Sequence, residues 1–116
     1  MGVFSCQIRV ASLDGARYAD FDATVDTGAT HTFLPSGDLR ALGVRPLYTD
    51  LFEFADGRRA EMDVGLAMVT IGDLTQRAQV VFAEGNVTPL LGADTLQGMK
   101  LAVDMANHRI VPVERL

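Results

Sequence analysis

Apolar and polar residues alternate along much of this chain with a period of two, which is typical of half-buried β-strands. A clear case is residues 21–25, where apolar Phe21, Ala23 and Val25 are separated by polar side chains. The alternation and its interruptions predict short strands over residues 3–10, 17–25, 31–34, 51–55, 58–64, 66–71, 78–82, 101–103 and 109–113.

Asp-Gly pairs, which favour tight hairpin turns, lie between two pairs of these strands. Asp14-Gly15 separates the first two strands, and Asp56-Gly57 separates residues 51–55 from residues 58–64. Gly72-Asp73 lies near the bend of a further strand pair. The turns therefore predict a chain built from consecutive hairpins.

Helical periodicity is scarce, and it predicts only short helices. One would open at Pro35-Ser36, with Ser36 as its N-cap, and end before Gly43. The other would cover residues 94–97 and end at Gly98. The residues of the first helix that are expected to face the core are Leu39 and Leu42.

Many short strands with one or two short helices predict a mostly-β fold. The chain has 116 residues, of which 48% are hydrophobic, and it contains no linker, internal repeat or low-complexity stretch. A single compact domain over residues 1–116 is therefore expected.

The charge and hydropathy of the chain argue against two classes of partner. The formal net charge is −5 and Arg58-Arg59 are the only adjacent basic residues, so a nucleic-acid-binding surface is not expected. No stretch is long and apolar enough to span a bilayer, and no signal peptide is visible at the N-terminus. A cytoplasmic protein without membrane association is the default expectation.

The cysteine and the histidines do not suggest a metal site. Cys6 is the sole cysteine, and its alternation with Phe4 and Ile8 favours a buried core thiol over a nucleophile. His31 and His108 are the only histidines, and neither belongs to a zinc-binding motif or a Ser-His-Asp triad. We therefore expect neither a metal ion nor another cofactor.

The strongest candidate for chemistry is Asp26, which follows an apolar strand and precedes Thr27 and Gly28. A carboxylate at the end of a buried strand is costly unless several donors satisfy it. A Thr hydroxyl and backbone N–H groups beside a Gly could supply those donors. The alternative is an ordinary turn, because Asp and Gly are common turn residues.

A second motif, Leu90-Leu91-Gly92, ends an apolar run just before the second helix. With Asp26-Thr27-Gly28-Ala29-Thr30 and the hairpin between the two motifs, it makes the chain resemble the retropepsin-like aspartic proteases. The resemblance covers nearly the whole chain in order and approximate spacing. It implies a closed-barrel-like acid protease fold, with one lobe per chain, and an aspartic endopeptidase activity that needs no cofactor.

Peptide hydrolysis of this type uses two carboxylates around one water molecule, and the two acids share a proton. The chain contains one Asp-Thr-Gly, because Asp94-Thr95 is not followed by Gly. A second Asp26 would therefore have to come from another copy of the chain. We expect a two-fold homodimer that acts on a peptide or protein substrate.

The resemblance also implies roles for the residues that follow Asp26. Thr27 would link the two active-site loops through its hydroxyl, and Gly28 would allow close backbone approach to the carboxylates. Ala29 and Thr30 would border the substrate groove.

The second motif and its surroundings differ in part from the viral pattern. Leu91 and Gly92 are expected to pack beneath the active-site loop rather than to touch substrate. Viral relatives usually carry an acid at the position of Thr30 and an Arg at that of Ala93, so both members of that ion pair are absent. A hydrogen bond between Thr30 and Asp94 is one hypothesis for what replaces it.

In the resembled family, the hairpin after the Asp-Thr-Gly turn is the flap that closes over bound peptide. Its tip here, Ala55, Asp56 and Gly57, would then contact substrate. An ordinary exposed hairpin explains the same turn residues. Phe52 and Phe54 could belong to the core or line a subsite, and we favour the core.

Two other functions remain open at this stage. The chain could be an inactive member of the fold that serves as a dimeric module binding extended peptides. It could also be a structural β-barrel domain with a coincidental motif. The intact Asp-Thr-Gly favours the peptidase, because a binding module has no evident need for the acid.

Overall fold

The computed structural model describes residues 4–113. In this part of the chain, strands predominate and both helices are short. In chain order the elements are β1 (Phe4–Ala11), β2 (Tyr18–Val25), β3 (Phe33–Pro35), α1 (Ser36–Ala41), β4 (Pro46–Glu53), β5 (Arg59–Ile71), β6 (Leu74–Ala83), β7 (Leu90–Leu91), α2 (Ala93–Gly98), β8 (Leu101–Asp104) and β9 (Arg109–Pro112).

The first two strands form the predicted hairpin. They pair antiparallel from Phe4 opposite Val25 to Ala11 opposite Tyr18. Gly15 in the turn has a φ of 72°, a conformation that an L side chain rarely adopts. Residue 3, the first of the predicted strand, lies outside the described residues.

The main sheet has seven strands in the order β1-β2-β7-β3-β6-β5-β4. Because β1 also pairs with β5, through residues 9–11 and 68–70, every strand of this sheet except β4 belongs to a closed ring. The short strands β3 and β7 complete the ring, and β7 pairs in parallel with the end of β2. The closed, mostly-β fold expected from the sequence is confirmed.

The strand β5 corrects the sequence prediction, which divided it into residues 58–64 and 66–71. It is one strand of 13 residues that pairs first with β4 and then with β6. Gly65 is the residue that the two predicted strands left between them, and a Cβ there would lie 2.5 Å from the Arg45 carbonyl oxygen. Gly65 therefore permits a close backbone approach within the strand and does not end it.

Three strands begin at least two residues away from their predicted starts, because pairing partners extend or shorten them. The strand β4 pairs with β5 from Pro46 onward, whereas the prediction began at residue 51. The strand β6 pairs with β5 from Leu74 onward, whereas the prediction began at residue 78. The strand β3 begins at Phe33 rather than residue 31. Alternation alone marks only the parts of a strand whose two faces differ in burial.

The helix α1 lies where it was predicted, but its N-cap was wrong. Pro35 occupies the cap and no side chain caps the helix, while Ser36 is its first helical residue and is buried. The Ser36 Oγ instead accepts a hydrogen bond of 3.2 Å from Arg40 Nε. Gly43, with a φ of 82°, follows the helix end as expected, and the two leucines predicted to face the core are buried.

The C-terminal elements agree with the prediction apart from small differences at their ends. The helix α2 is one residue longer at each end than predicted. The strands β8 and β9 pair antiparallel as a separate two-stranded sheet, and Val103 and Ile110 pack against the main core. Phe4 of β1 stacks on His108 between these strands, with ring centroids 5.6 Å apart.

The main core fills the ring. The inward-facing residues of β1 and β2 that belong to it are Ile8, Val10, Ala23 and Val25. Cys6 is half-buried against this core, and burial raises the pKa of its thiol, as expected for a packed cysteine rather than a nucleophile. Neither helix described in residues 4–113 has the length and apolar character needed to cross a bilayer.

Candidate active site

Asp26 is the first residue after β2, at the carboxyl end of a strand whose last residues alternate between core and surface. The parallel partner strand β7 ends beside it, with Val25 opposite Leu91. The Asp26 backbone N–H donates a hydrogen bond of 3.1 Å to the Leu91 carbonyl oxygen. Asp26 is half-buried, so its carboxyl group lies at the rim of the ring rather than inside the core.

The turn after Asp26 closes on the aspartate itself. The Gly28 N–H donates a hydrogen bond of 2.9 Å to Asp26 Oδ1, and the Ala29 N–H donates one of 3.1 Å to the Asp26 carbonyl oxygen. The Thr27 hydroxyl, which was expected to be a second donor to Asp26, is exposed and has no hydrogen-bond partner among residues 4–113. The backbone therefore supplies the donor that holds the carboxylate within the described chain.

The segment that follows β7 binds the rest of this loop. The Ala93 N–H donates 2.8 Å to the Ala29 carbonyl oxygen, and the Asp94 N–H donates 2.9 Å to that of Thr30. Thr30 and Asp94 are therefore hydrogen-bonded within one chain through their backbone atoms. This bond is not the contact that was hypothesised in place of the viral ion pair, and that hypothesis stays a prediction. Together with the bond from Asp26 to Leu91, these contacts join the two sequence motifs into one unit.

Gly92 lies in the tightest part of this unit. A Cβ at Gly92 would lie 2.5 Å from the His31 carbonyl carbon and 3.0 Å from the His31 nitrogen. The Gly92 N–H donates 3.0 Å to Thr32 Oγ1, and the preceding Leu91 is fully buried. Both motif residues therefore lie against the loop that carries Asp26.

Asp94 is a second carboxyl group near the loop. Its Oδ1 accepts a hydrogen bond of 2.7 Å from the Thr95 N–H. Asp94 also borders an open cleft of about 210 Å³ between α2 and β6. Burial raises the pKa of Asp94, while the Thr95 N–H and the nearby His31 act in the opposite direction. Within residues 4–113, no three His, Cys, Asp or Glu side chains are grouped to hold a metal ion.

The hairpin of β4 and β5 contacts the loop that carries Asp26 through Phe52, which lies opposite Ala60 close to the turn of the hairpin. Phe52 is 7% exposed, and its ring centroid lies 5.0 Å from that of His31 and 5.8 Å from that of Phe33. The preference for a core position is therefore right for Phe52. Phe54 is half-buried, and the Arg58 guanidinium lies over its ring, 5.5 Å from the centroid.

The hairpin tip, formed by Ala55, Asp56 and Gly57, is exposed. The Phe54 N–H donates 2.8 Å to the Arg58 carbonyl oxygen, and the Asp56 carboxylate pairs with the Arg58 guanidinium at 2.6 Å. The tip is thus ordered by its own contacts. The structure brings residues 26–30 together with Leu91 and Gly92, whereas the hydrogen bonds of the tip stay within the hairpin.

Sequence reasoning missed three residues of this region. Thr32 and Thr95 are buried and joined through their hydroxyls, and the His31 ring contacts Phe52 of the hairpin. A Thr in an otherwise apolar segment, such as Thr32 before Phe33, is the only signal that could have suggested a buried hydroxyl. Its partner could not be inferred, because it is 63 positions away.

An Asp-Thr-Gly turn at the rim of a closed ring of strands, joined to a Leu-Gly segment and a short helix, defines the class of single-lobe aspartic proteases. The family model described as "gag-polyprotein putative aspartyl protease" matches residues 12–98, and the chain belongs to this family. A comparison with curated protein sequences finds no match.

Solved structures of retroviral and retropepsin-like proteases share the fold. The simian foamy virus (mac) protease is 20% identical, with 80% of this chain and 91% of that chain covered and a TM-score of 0.57. The retroviral protease-like domain of Ddi1 from Leishmania major is 13% identical, with 99% and 92% covered and a TM-score of 0.62. A retropepsin-like aspartic protease from Rickettsia conorii is 19% identical, with 90% and 89% covered and a TM-score of 0.52.

Proposed function

We propose that this protein is an aspartic endopeptidase that is active as a homodimer, with one Asp26 from each copy. The observation that carries this proposal is the single Asp-Thr-Gly turn at the rim of the ring. In this turn the Asp26 carboxylate accepts a hydrogen bond from the Gly28 N–H. The family and the fold support an aspartic protease in general terms.

The dimer follows from the chemistry that two acids perform together. The ionised Asp26 takes a proton from water, and the water oxygen attacks the scissile carbonyl carbon. The protonated Asp26 of the second copy polarises that carbonyl oxygen. As the C–N bond breaks, the leaving nitrogen takes a proton from the pair. One lobe with one such aspartate provides only half of these groups.

The substrate would be an extended peptide between the floor of the site and the hairpin. Ala29 and Thr30 would border the groove from the catalytic loop, and the exposed tip at Ala55, Asp56 and Gly57 would cover it. The contact of Phe52 with His31 supports this arrangement, because it holds the hairpin, close to its turn, against the loop that carries Asp26.

A peptide-library cleavage assay at mildly acidic pH tests the proposal with two matched variants. Asp26→Asn keeps an oxygen that can accept the Gly28 N–H but removes the ionisable group, and we expect it to abolish cleavage. Asp73→Asn makes the same change in an exposed turn and should cleave like the wild type. Equal cleavage by Asp26→Asn and wild type would overturn the proposal.

The same assay separates the peptidase from the alternative function. A wild-type dimer that captures extended peptides without cleaving any member of the library would favour an inactive binding module of this fold. In that case Asp26→Asn should leave peptide binding unchanged.

A further inference from the structure

We propose that Thr32 and Thr95 are positioning residues for Asp26, and that their buried hydroxyl pair holds the catalytic loop against α2. This inference rests on the proposed peptidase function. Neither residue belongs to the Asp-Thr-Gly or Leu-Gly motif. Neither is expected to touch substrate, because Thr32 is 0% and Thr95 is 3% exposed.

The two hydroxyls form a short, shielded hydrogen bond between distant parts of the chain. Their Oγ1 atoms lie 2.6 Å apart, although the residues are separated by 63 positions. A buried hydroxyl needs a partner, so loss of one member leaves the other without its hydrogen bond. The pair therefore ties the end of the catalytic loop to the first turn of α2.

The surrounding contacts favour Thr32 as the donor to Thr95. Thr32 Oγ1 already accepts the Gly92 N–H at 3.0 Å, and Asp94 Oδ1 lies 3.4 Å from Thr95 Oγ1 as an acceptor. If Thr32 donates to Thr95, the Thr95 proton can point to Asp94 and every group has a partner. The opposite direction would leave the Thr32 proton without an acceptor among the described residues. The chain of hydrogen bonds thus runs from Gly92 through both threonines to the Asp94 carboxylate.

This chain of hydrogen bonds acts on the segment that holds Asp26. The backbone contacts from Asp26 to Leu91 and from Thr30 to Asp94 lie on the two sides of Gly92. Thr32 is the side chain that holds the Gly92 N–H between them. Because catalytic groups must keep their geometry to a fraction of an ångström, a small shift of this segment would change turnover more than substrate affinity.

The first test replaces each hydroxyl with a methyl group of similar size. We expect Thr32→Val and Thr95→Val to lower kcat by about tenfold or more, with KM within about twofold of wild type. Thr32→Ser and Thr95→Ser keep the hydroxyl and should recover most of the lost kcat. These assays are made at a temperature at which every variant is folded.

The chain offers a matched control in a second threonine pair. The Oγ1 atoms of Thr70 and Thr75 lie 2.7 Å apart near the surface, beside the turn between β5 and β6. Thr70→Val and Thr75→Val remove a hydroxyl in the same way, and they should leave kcat and KM unchanged.

A second measurement tests the positioning without using activity. Native-state hydrogen exchange of the Asp26 and Ala29 amides should be about tenfold faster in Thr32→Val than in wild type, because the loop opens more often. The Thr70→Val variant should show no such change. Unchanged exchange at both amides in Thr32→Val would overturn the positioning role, even if the wild type proves to be inactive as a peptidase. An active wild type whose Val variants keep kcat within about twofold would also overturn it.

Discussion

The backbone N–H of Asp26 donates a hydrogen bond of 3.1 Å to the carbonyl oxygen of Leu91, which joins the Asp-Thr-Gly and Leu-Gly motifs at the rim of the strand ring. The strand β2 ends immediately before Asp26, and its parallel partner β7 carries Leu91. The position of the acid is thus set by sheet pairing as well as by its own turn. Substitutions around this bond should therefore affect both stability and activity.

Gly92→Ala should disrupt the site because the new Cβ would lie 2.5 Å from the His31 carbonyl carbon. Backbone atoms on both sides must then move, and we expect a loss of about 1–3 kcal/mol in the free energy of unfolding. Peptidase activity should be lost as well. Urea denaturation at one protein concentration and a cleavage assay measure the two effects.

Gly37→Ala is the control for this substitution. Gly37 lies in α1, where an added Cβ would have no neighbouring atom within 4 Å, so alanine should preserve or raise stability by up to about 1 kcal/mol. Equal stability of Gly92→Ala and Gly37→Ala would contradict the close approach to His31.

Asp94→Asn should change how stability depends on pH. Burial raises the pKa of Asp94, so the folded state holds this proton more tightly than the unfolded state does. The resulting stabilisation is present at low pH and is lost as the pH rises through the folded-state pKa. Asparagine keeps an acceptor for the Thr95 N–H but carries no charge, so its advantage in Tm over wild type should be larger at neutral pH than at acidic pH.

Thermal unfolding of wild type, Asp94→Asn and Asp73→Asn from acidic to neutral pH measures how the Tm of each protein changes with pH. Asp73 is exposed, and its substitution should leave the pH dependence of Tm close to that of wild type. A difference in Tm between Asp94→Asn and wild type that is the same at every pH would contradict the prediction.

Phe52→Ala should weaken the attachment of the hairpin to the catalytic loop. Phe52 packs against His31 and Phe33, and it forms a small buried cluster with Val64 and Val81 beside the main core. Its removal should cost about 3 kcal/mol in the free energy of unfolding. Leu51→Ala removes a neighbouring side chain that is 55% exposed, and it should change stability by less than about 0.5 kcal/mol. Similar losses in the two variants, measured by denaturant unfolding, would argue against a packing role for Phe52.

Mixing experiments should reveal the shared active site. In a homodimer that exchanges subunits, a tenfold excess of Asp26→Asn chains leaves few dimers with two intact aspartates, and wild-type activity should fall about tenfold. An equal excess of the doubly substituted Asp26→Asn/Asp73→Asn chain should act in the same way. Where exchange of subunits between the two chains has been demonstrated, activity that is unaffected by the excess would show that one chain suffices.

Dilution offers an independent measurement of the same property. The specific activity of wild type should decline once the protein concentration falls below the dissociation constant of the dimer. A constant specific activity over a range in which sedimentation shows dissociation into single chains would exclude a site made by two copies.

Local patterns were enough to predict much of this protein. Alternation located the hairpin of β1 and β2, and the Asp-Gly pairs located two turns, including the one at Gly57 with a φ of 87°. The end of the first helix before Gly43 was predicted from the glycine itself, which has a φ of 82°. Each of these features depends on residues that are close in sequence, so the chemistry of a few neighbouring side chains determines it.

Only the tertiary structure decided the features that depend on contacts between distant residues. It made β5 one continuous strand through Gly65, because two different partners pair with its two halves. It buried Thr32 against Thr95, and it brought Gly92 so close to His31 that no side chain fits between them. The sequence by itself determined where the acid and its turn lie. The packing of segments about 60 residues apart decided what holds them in place, because no local period records which distant residue will fill a contact.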